Sequence, residues 1–246
     1  MEIIFLAIII LFLAVIAPSL RAQKKNSPDK TGEVGEQRVA RALGENIPNE
    51  KYIINGLIIA HNGKTSQIDH VVINRCGIFV IETKNYSGWI YGGEKQNQWT
   101  QVLAHGREKH KFYNPISQNN THICCLKAVL GNLAKGDCFV SIIVFPRAEI
   151  KTESIFNVGD IKNLKRMLDA PRQSIFSVSE INAIYHILLA ENKLPEEHVA
   201  RMEKIKQNIA NNICPRCGMS LVLRKGKHGS FYGCEGYPYC KFTKQI

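Results

Sequence analysis

The chain has 246 residues, which make room for one sizeable domain and one small additional unit. It carries 32 lysines and arginines against 21 aspartates and glutamates, so its formal charge is +11 at pH 7. That balance suits a polyanionic partner, although charge by itself does not identify one. No internal repeat and no low-complexity tract occurs in the sequence, which excludes a repeat array.

The N-terminus is a continuous apolar segment. From Ile3 to Ala17 it contains no polar residue, and it reaches Leu20 with only Pro18 and Ser19 inside. As a helix it would be about 27 Å long, which is just enough for a bilayer core. We therefore predict a transmembrane anchor over residues 1–22.

The charges around this segment predict its orientation. One acid precedes it, and four basic residues follow it: Arg21, Lys24, Lys25 and Lys30. Positive charge on the C-terminal side predicts a single-pass protein of the inner (cytoplasmic) membrane with the bulk of the chain in the cytoplasm. A cleaved signal peptide is the alternative, but its basic start is missing and Pro18 follows Ala17.

Residues 23–31 are polar and are predicted to form a linker. A helix is predicted over 32–43, then strands over 52–59, 67–74 and 77–83, and a second hairpin of 88–91 with 98–103. Pro115 suits a helix start, and 139–145 is an apolar run typical of a buried strand. The region 158–211 is predicted to be helical, with a capping box at Ser177 and Glu180 and a polar helix from Pro195.

The hairpin of the second and third strands gathers charged residues. Its turn is Asn74-Arg75-Cys76-Gly77. If Arg75 and Cys76 form the loop, Asp69 lies opposite Glu82; a shift by one residue pairs Asp69 with Lys84 instead. Glu82 and Lys84 share a face in either case, because side chains alternate along a strand.

Two opposed carboxylates on such an apolar strand pair need an explanation. At a Cβ separation of about 5 Å they repel by roughly 3 kcal/mol with an effective dielectric near 20. A divalent cation offsets that repulsion and supplies chemistry. The alternative is a solvated strand on which Glu82 and Lys84 form an ion pair and Asp69 is an acid at the strand edge.

The wider motif series carries a family resemblance. It comprises Gly32-Glu33-Val34-Gly35-Glu36, then Gly63 to His70 with the Ser-Gln-Ile-Asp core, then Gly77 to Gly88 with Glu82-Thr83-Lys84, then Trp99 and the run Asn114 to Asn120. Over about residues 30–150 this series resembles the nuclease-related domain (NERD) of the PD-(D/E)xK nucleases. The resemblance implies an α/β, restriction-endonuclease-like core.

The same resemblance implies site residues. Asp69 and Glu82, with the carbonyl oxygen of Thr83, would bind catalytic Mg²⁺ or Mn²⁺, and Lys84 would position the attacking water. Glu36 would face the same metal, and Gln118 would orient Lys84 or contact phosphate. Two of these assignments have open alternatives, since an acid in the first turn of a helix also suits the helix dipole and Gln118 also suits a plain surface amide.

Other residues near the motif receive no such role. Gln67 stands where these domains often carry an acid, and we assign it no metal. The histidines show no metal-ligand spacing, so His70, His105, His110 and His122 are interpreted as structural or surface residues. Trp89 and Trp99 are expected to pack the second hairpin.

The C-terminal segment carries four cysteines with metal-ligand spacing: Cys214, Cys217, Cys234 and Cys240. About 33 residues cannot bury enough apolar surface to fold unaided, so a structural zinc ion would supply the folding free energy. A disulfide pairing is the alternative. The remaining cysteines are interpreted as buried thiols.

The details of residues 213–243 resemble the zinc ribbons appended to bacterial type I topoisomerases. Basic and aromatic side chains between the ligands suit unpaired nucleic acid, which needs a charged groove and stacking rings. The alternative is that the rings form the small core of the ribbon. The predicted nucleic-acid-binding residues are Arg224, Lys225, Lys227, Phe231, Tyr232 and Tyr237.

The sequence thus predicts five segments: an anchor (1–22), a linker (23–31), a NERD nuclease-like domain (32–157), a helical extension (158–212) and a C4 zinc ribbon (213–246). We expect a membrane-anchored, Mg²⁺- or Mn²⁺-dependent nuclease that hydrolyses phosphodiester bonds. The zinc ribbon is expected to bind DNA, single-stranded by preference. The alternative is a DNA-binding tether, or a topoisomerase-like accessory protein, without significant turnover.

Overall fold

The computed structural model describes residues 28–61, 64–151, 157–193, 195–226 and 229–245. Within these ranges five α-helices form: α1 (Pro28–Leu43), α2 (Pro115–Leu130), α3 (Ile161–Asp169), α4 (Val178–Glu191) and α5 (Pro195–Ala210). The strands are β1 (Lys51–His61), β2 (Lys64–Asn74), β3 (Gly77–Thr83), β4 (Ser87–Tyr91), β5 (Gln98–Leu103), β6 (Glu108–Tyr113), β7 (Phe139–Val144), β8 (Arg147–Ile150), β9 (Val158–Gly159), β10 (Leu221–Gly226), β11 (Gly229–Cys234) and β12 (Thr243–Gln245).

The largest sheet has the strand order β1-β2-β3-β7-β9. Its first three strands are antiparallel neighbours, while β7 lies parallel to β3 and β9 parallel to β7. A parallel neighbour requires a crossover connection, and α2 lies within the one that joins β3 to β7. That connection places α2 against the sheet beside the end of β3.

The central strand β3 is buried on both faces, because five of its seven residues are glycine or large apolar side chains; Glu82 and Thr83 at its end are buried as well. Ile78 and Val80 pack in the cluster that includes the α2 residue Leu126. Phe79 and Ile81 pack on the opposite face, in the cluster that includes the α1 residue Val39. Helices α2 and α4 therefore cover one face of the sheet, and helices α1 and α3 cover the other.

The second sheet has the strand order β6-β5-β4-β8. The predicted hairpin of β4 with β5 forms, with Trp89 opposite Val102. Trp99 is fully buried, stacks on Phe145 at 6.1 Å between ring centroids and meets the edge of Phe112. One face of this sheet is thus packed against the domain core.

The predicted fold class needs a correction. Among the helices in the described part of the chain, none is long and apolar enough to cross a membrane. The apolar segment 1–22, on which the predicted anchor rested, lies outside the described residues. The chain is a mixed α/β protein with three sheets and five α-helices in the described ranges, in place of a restriction-endonuclease-like core joined to a transmembrane helix.

Most of the predicted elements occur with boundaries shifted by a few residues, but the sheet arrangement is more complex than predicted. The expected order of one helix, three strands, a helix and a strand did not include β8, which pairs in parallel with β4. The predicted capping box of Ser177 and Glu180 is confirmed at the start of α4. The membrane partner and the inner-membrane location have no support from the described residues, and the location stays a prediction.

Two asparagines fix α2 to the rest of the domain. Asn114 caps the helix by accepting from the Ile116 N–H, while its amide donates to three carbonyls in residues 93–96. Asn119 is fully buried, and its amide donates to the Val80 carbonyl at 2.7 Å and to the Ser141 hydroxyl at 2.9 Å. Asn119 thereby ties α2 to both β3 and β7.

Replacing Asn119 with Ala is expected to lower the free energy of unfolding by about 2 kcal/mol, because the Val80 carbonyl and Ser141 hydroxyl lose their donor in the interior. Urea denaturation followed by circular dichroism measures the change. The matched control is Asn120→Ala, an exposed position on the same helix, where we expect less than about 0.5 kcal/mol. Equal losses in the two variants would contradict the assigned role.

Candidate functional site

The register of the β2–β3 hairpin sets the geometry of the site. Asn74 pairs with Gly77 and His70 with Ile81, so Arg75 and Cys76 form the turn. The Asn74 side chain accepts a hydrogen bond from the Cys76 N–H at 2.8 Å, which stabilises this turn. Continuing the same register by one position places Asp69 opposite Glu82, the first of the two predicted alternatives.

At this point Asp69 and Glu82 lie where the strand pairing ends. The Asp69 carboxylate accepts a hydrogen bond from the Thr83 N–H at 2.7 Å. This side chain takes the place of the backbone carbonyl that would accept from Thr83 if the ladder continued. Glu82 is 2 % exposed and Lys84 19 % exposed, and the Lys84 ammonium lies 2.6 Å from the Glu82 carboxylate. The Glu82–Lys84 ion pair is therefore buried rather than on a solvated strand.

Gln118 completes this contact from α2. Its side-chain oxygen accepts a hydrogen bond from the Lys84 ammonium at 2.9 Å. The N-cap at Asn114 fixes the start of the helix one turn before Gln118, which sets the height of this side chain over the sheet. The structure thus places Gln118 on Lys84, which was one of the two positions that the resemblance implied.

These side chains line one cleft of about 610 Å³. Its walls are formed by α1, the middle of β2, the end of β3 with the following loop, and α2. The lining residues are Thr31, Gly32, Glu36, Gln67, Asp69, Glu82, Thr83, Lys84, Asn85, Tyr86 and Gln118. All five predicted catalytic residues, Glu36, Asp69, Glu82, Lys84 and Gln118, are therefore brought together.

A glycine brings α1 close enough to contribute Glu36. Gly35 is buried, and a Cβ atom there would lie 2.5 Å from the Cβ of Asn85. The Asn85 amide also donates to the Thr31 carbonyl at 2.5 Å. The close approach of α1 to the loop after Lys84 explains why residue 35, next to Glu36, is a glycine.

Sequence reasoning missed His122, which contacts the site from α2. Its Nε2 lies 3.1 Å from the Glu82 carboxylate, and its Nδ1 lies 2.6 Å from the Ser66 hydroxyl. His122 follows Gln118 by four residues, so the two share one face of the helix. That spacing was the available signal, whereas the search for metal-ligand spacing among histidines did not reveal it.

Three further histidines that the sequence analysis considered are not partners of Glu82 in the described part of the chain. His70 is buried next to the site, and burial lowers its pKa to about 4, so the ring is neutral at pH 7. Its Nδ1 lies 2.8 Å from the Asn55 side-chain oxygen. His105 and His110 are exposed.

The pKa shifts show that the cleft concentrates negative charge. Desolvation and then the Glu82 charge raise the pKa of Asp69 well above its usual value. Desolvation, with Glu82 and Glu33, also raises the pKa of Glu36. Burial alone would raise the pKa of Glu82, but the His122 hydrogen bond and Lys84 outweigh it and lower that pKa.

The donor set fits a hard divalent cation. Asp69, Glu82 and Glu36 offer carboxylate oxygens in one cleft, and oxygen is the donor that Mg²⁺ and Mn²⁺ prefer. Such a cation stabilises the ionised form of carboxyl groups whose pKa values are raised by burial and by one another's charge. The metal assignment of these three residues stays a prediction.

The four C-terminal cysteines form a compact sulfur cluster. The Cys214 and Cys240 sulfurs lie 3.6 Å apart, the Cys217 and Cys234 sulfurs 3.3 Å apart, and all four lie within 4.8 Å of one another. Four sulfurs at about 2.3 Å from a tetrahedral Zn²⁺ are about 3.8 Å apart, so the cluster fits a Cys₄ zinc site. The cysteines form a zinc-binding ribbon, as predicted.

The predicted nucleic-acid-binding residues of the ribbon that the structure describes fall into three groups. Arg224, Phe231 and Tyr237 line a groove of about 420 Å³, with the Arg224 guanidinium 5.9 Å from the Tyr237 ring centroid. Tyr232 instead packs against the buried cysteines and Leu221, so this ring belongs to the ribbon core. Lys225 is exposed, and Lys227 lies outside the described residues.

Comparison with known families bears on both sites. Residues 31–146 match the nuclease-related domain, and residues 211–246 match the topoisomerase DNA binding C4 zinc finger. An uncharacterized protein of Bacillus anthracis is 31% identical over 202 residues, which cover 80% of this chain and 92% of that protein. The chain belongs to the nuclease-related domain (NERD) family.

Relatives of the zinc ribbon share only part of the chain. DNA topoisomerase 1 of Methanocaldococcus jannaschii is 32% identical over 108 residues, which cover 44% of this chain and 13% of the topoisomerase. The uncharacterized protein YrdD of Escherichia coli is 50% identical over 36 residues, 15% of this chain and 20% of YrdD. No solved structure matches the chain.

These matches confirm the predicted NERD domain and the predicted topoisomerase-type ribbon. The chain is therefore a nuclease-related protein with a zinc ribbon of a DNA-binding type. The NERD match ends before α3, so it contains the whole of the cleft but not the helices α3 to α5.

Replacing Asp69 with Asn is expected to stabilise the protein at neutral pH in the absence of added Mg²⁺ or Mn²⁺. Because the folded-state pKa is raised, the folded protein holds this proton more tightly than the unfolded chain. The stability of the wild type therefore falls as the pH rises from the ordinary pKa of 3.8 through the raised pKa of Asp69. The amide of Asn at position 69 does not titrate, so the variant lacks this loss.

Thermal melts between about pH 4 and pH 8 measure this difference. The advantage of Asp69→Asn should grow with pH, and added Mn²⁺ should raise the melting temperature of the wild type but not of the variant. Asp137→Asn, an exposed loop position, is the control. A variant that is less stable than the wild type at every pH would contradict the assigned repulsion.

Proposed function

We propose that this protein is a divalent-metal-dependent nuclease that hydrolyses phosphodiester bonds of DNA. One observation carries the proposal: Asp69, Glu82 and Lys84 meet in a single cleft within the NERD domain, with Lys84 held between Glu82 and Gln118. A strand-edge acid and a solvated ion pair would not share one cleft with a glutamate that is 2 % exposed. Membership of the NERD family supports the same reaction class.

Asp69 and Glu82 would hold the catalytic Mg²⁺ or Mn²⁺ with the Thr83 carbonyl, and Glu36 would face the same ion from α1. When bound, such an ion lowers the pKa of coordinated water and offsets charge on the phosphate. The three carboxylates need this countercharge, since two of their pKa values are raised by burial and mutual repulsion.

Lys84 would hold and help to deprotonate the attacking water, and would balance charge in the transition state. Its ammonium is oriented by two hydrogen-bonding partners, Glu82 and Gln118, which reduces the number of geometries that it samples. His122 and Ser66 act behind Glu82, because the His122 ring contacts one carboxylate oxygen while Lys84 contacts the other. His122 is thus a positioning residue for Glu82.

The zinc ribbon would bind the unpaired strand of the substrate. The groove that contains Arg224, Phe231 and Tyr237 combines a guanidinium with aromatic rings, which suits a phosphate next to an unpaired base. Tyr237 is 63% exposed and Tyr239 is 99% exposed, so both rings are accessible. The match to a DNA binding zinc finger supports this role.

The purified full chain is expected to nick or degrade DNA when Mg²⁺ or Mn²⁺ is added. Asp69→Asn and Lys84→Met should each lower the rate at least about a hundredfold, because each removes a group that stabilises charge at the reacting phosphate. A gel assay with labelled single-stranded and duplex DNA measures the rates. Equal cleavage by the wild type and Asp69→Asn would indicate a contaminant, and no cleavage by either would favour a DNA-binding tether.

Two glutamates of α1, one inside the cleft and one outside it, test whether the position of the carboxylate matters. Glu36 lines the cleft, whereas Glu33 is exposed on the preceding turn of the same helix. Glu36→Gln should therefore slow cleavage and weaken Mn²⁺ binding, while Glu33→Gln should leave both near the wild-type values. If the two variants behave alike, Glu36 has no role at the metal.

Cys217→Ser is expected to lower the zinc content of the protein and to weaken its binding of single-stranded DNA. Structural zinc contributes about 10–16 kcal/mol to the folding of such small units, so the groove should not persist without the ion. Elemental analysis and fluorescence anisotropy with a labelled oligonucleotide measure the two effects. Cys124→Ser, an exposed cysteine of α2, is the control.

Unchanged single-strand binding after complete zinc loss would contradict the proposed role of the ribbon. It would leave the hydrolytic proposal intact, because cleavage depends on a different set of residues.

A further inference from the structure

The sheet β6-β5-β4-β8 has one buried face and one open face. The buried face carries Ile90, Trp99 and Ala148, with the half-buried Phe112, all in one apolar cluster. Because side chains alternate along a strand, the residues between these point to the other side of the sheet. The strand register therefore identifies which residues lie on the open face.

Two cross-strand rows make up this open face. In the first row Trp89 lies opposite Val102, and Val102 lies opposite Lys109. In the second row Tyr91 lies opposite Thr100, and Thr100 lies opposite Lys111. We call the surface formed by Trp89, Tyr91, Thr100, Lys109, Lys111, Glu149 and Lys151 the basic sheet face; Val102 points to the same side of the sheet but is buried.

Lys151 joins this face from the end of β8. Its backbone N–H donates to the Ile90 carbonyl at 2.9 Å, which continues the pairing of β8 with β4. Its ammonium lies 5.8 Å from the centroid of the Trp89 ring, which confirms that the two side chains share one side of the sheet. A cation next to an indole ring keeps Trp89 in place for contact with a ligand.

The composition of this face differs from that of an ordinary solvated strand surface. Lys109, Lys111 and Lys151 are exposed, and Tyr91 is 41% exposed. The acid of the face is Glu149, opposite Trp89 in the register, and it is paired with Lys151. Lys109 and Lys111 make no salt bridge within the described residues, so their charge faces solvent.

We infer that the basic sheet face binds single-stranded nucleic acid, with Lys109 and Lys111 on successive phosphates and the Tyr91 ring against an unpaired base. Lysines at alternate positions of a strand are about 7 Å apart, a spacing comparable to the step between phosphates of an extended strand. A phenol ring beside such a row suits an unpaired base, since a duplex does not expose base faces.

The inference rests on the proposed function, because it assigns this surface to the strand that enters the cleft. β4 begins at Ser87, three residues after Lys84, so the basic sheet face and the site belong to one continuous segment. The surface lies within the NERD match and is separate in sequence from the zinc ribbon. It would give the NERD domain a substrate contact of its own.

Photo-crosslinking locates the strand directly. The full chain is irradiated with a 12-nucleotide oligothymidylate containing 4-thiothymidine, without added Mg²⁺ or Mn²⁺, and the cross-linked peptides are mapped by mass spectrometry. We expect cross-links in the peptides that contain β4 and β6, in addition to any in the ribbon. Cross-links confined to the ribbon would overturn the inference.

Salt titration of oligothymidylate binding tests the phosphate contacts. Lys109→Ala combined with Lys111→Ala should lower the slope of log K against log salt by about 1.4, since each single-strand phosphate contact contributes about 0.7. Lys162→Ala combined with Lys165→Ala removes the same charge from exposed positions of α3 and should leave the slope unchanged. Equal slopes in the two double variants would refute the contacts.

The stacking contact is tested by Tyr91→Ser and Tyr91→Phe. The serine variant should weaken binding about fivefold or more, while the phenylalanine variant keeps the ring and the affinity. Because these measurements need no turnover, they are independent of the cleavage assay. If the wild type shows the cross-links and the variants weaken binding as expected, but the wild type cleaves no DNA, only the hydrolytic proposal is refuted. If the wild type cleaves DNA but shows neither the cross-links nor the binding changes, only this inference is refuted.

Discussion

Two carboxylates that face each other at the end of a buried strand pair are the constraint on which the rest of the site depends. The turn at Asn74 and Gly77 fixes the register, and that register places Asp69 opposite Glu82. The ladder ends there, because the Thr83 N–H donates to the Asp69 carboxylate. Burial and then the charge of Glu82 raise the pKa of Asp69, and the surrounding side chains hold or offset this charge.

Helix α2 supplies most of that arrangement. Asn114 fixes its first turn and Asn119 ties it to β3, so the face between them stands at a set height above the sheet. Gln118 then reaches Lys84, and His122, one turn later, reaches Glu82. The same face of α2 therefore acts on both oxygens of Glu82: Gln118 orients the Lys84 ammonium that contacts one oxygen, and His122 contacts the other.

Local patterns in the sequence predicted the hairpin, its register as one of two alternatives, the capping box of α4 and the four zinc ligands. These features depend on residues that are close together in the chain. His122 was missed as a partner of Glu82, because 40 positions separate them and their meeting depends on the crossover that contains α2; its spacing of four residues from Gln118 was the one local signal. Likewise, Gly35 gains its meaning only from its contact with Asn85, and the parallel pairing of β8 with β4 requires the folded domain. Segment 1–22 could be interpreted from hydropathy alone, and the described residues add nothing to that interpretation.

The central claim is that the cleft binds a divalent metal ion between Asp69 and Glu82. The most direct test is a crystal grown with Mn²⁺ and examined by anomalous diffraction at the manganese edge. Our account predicts an anomalous peak within coordination distance of both carboxylates, with the Thr83 carbonyl oxygen completing the protein ligands. A map with no peak in the cleft at saturating Mn²⁺, while Glu82 remains paired with Lys84 and His122, would contradict it.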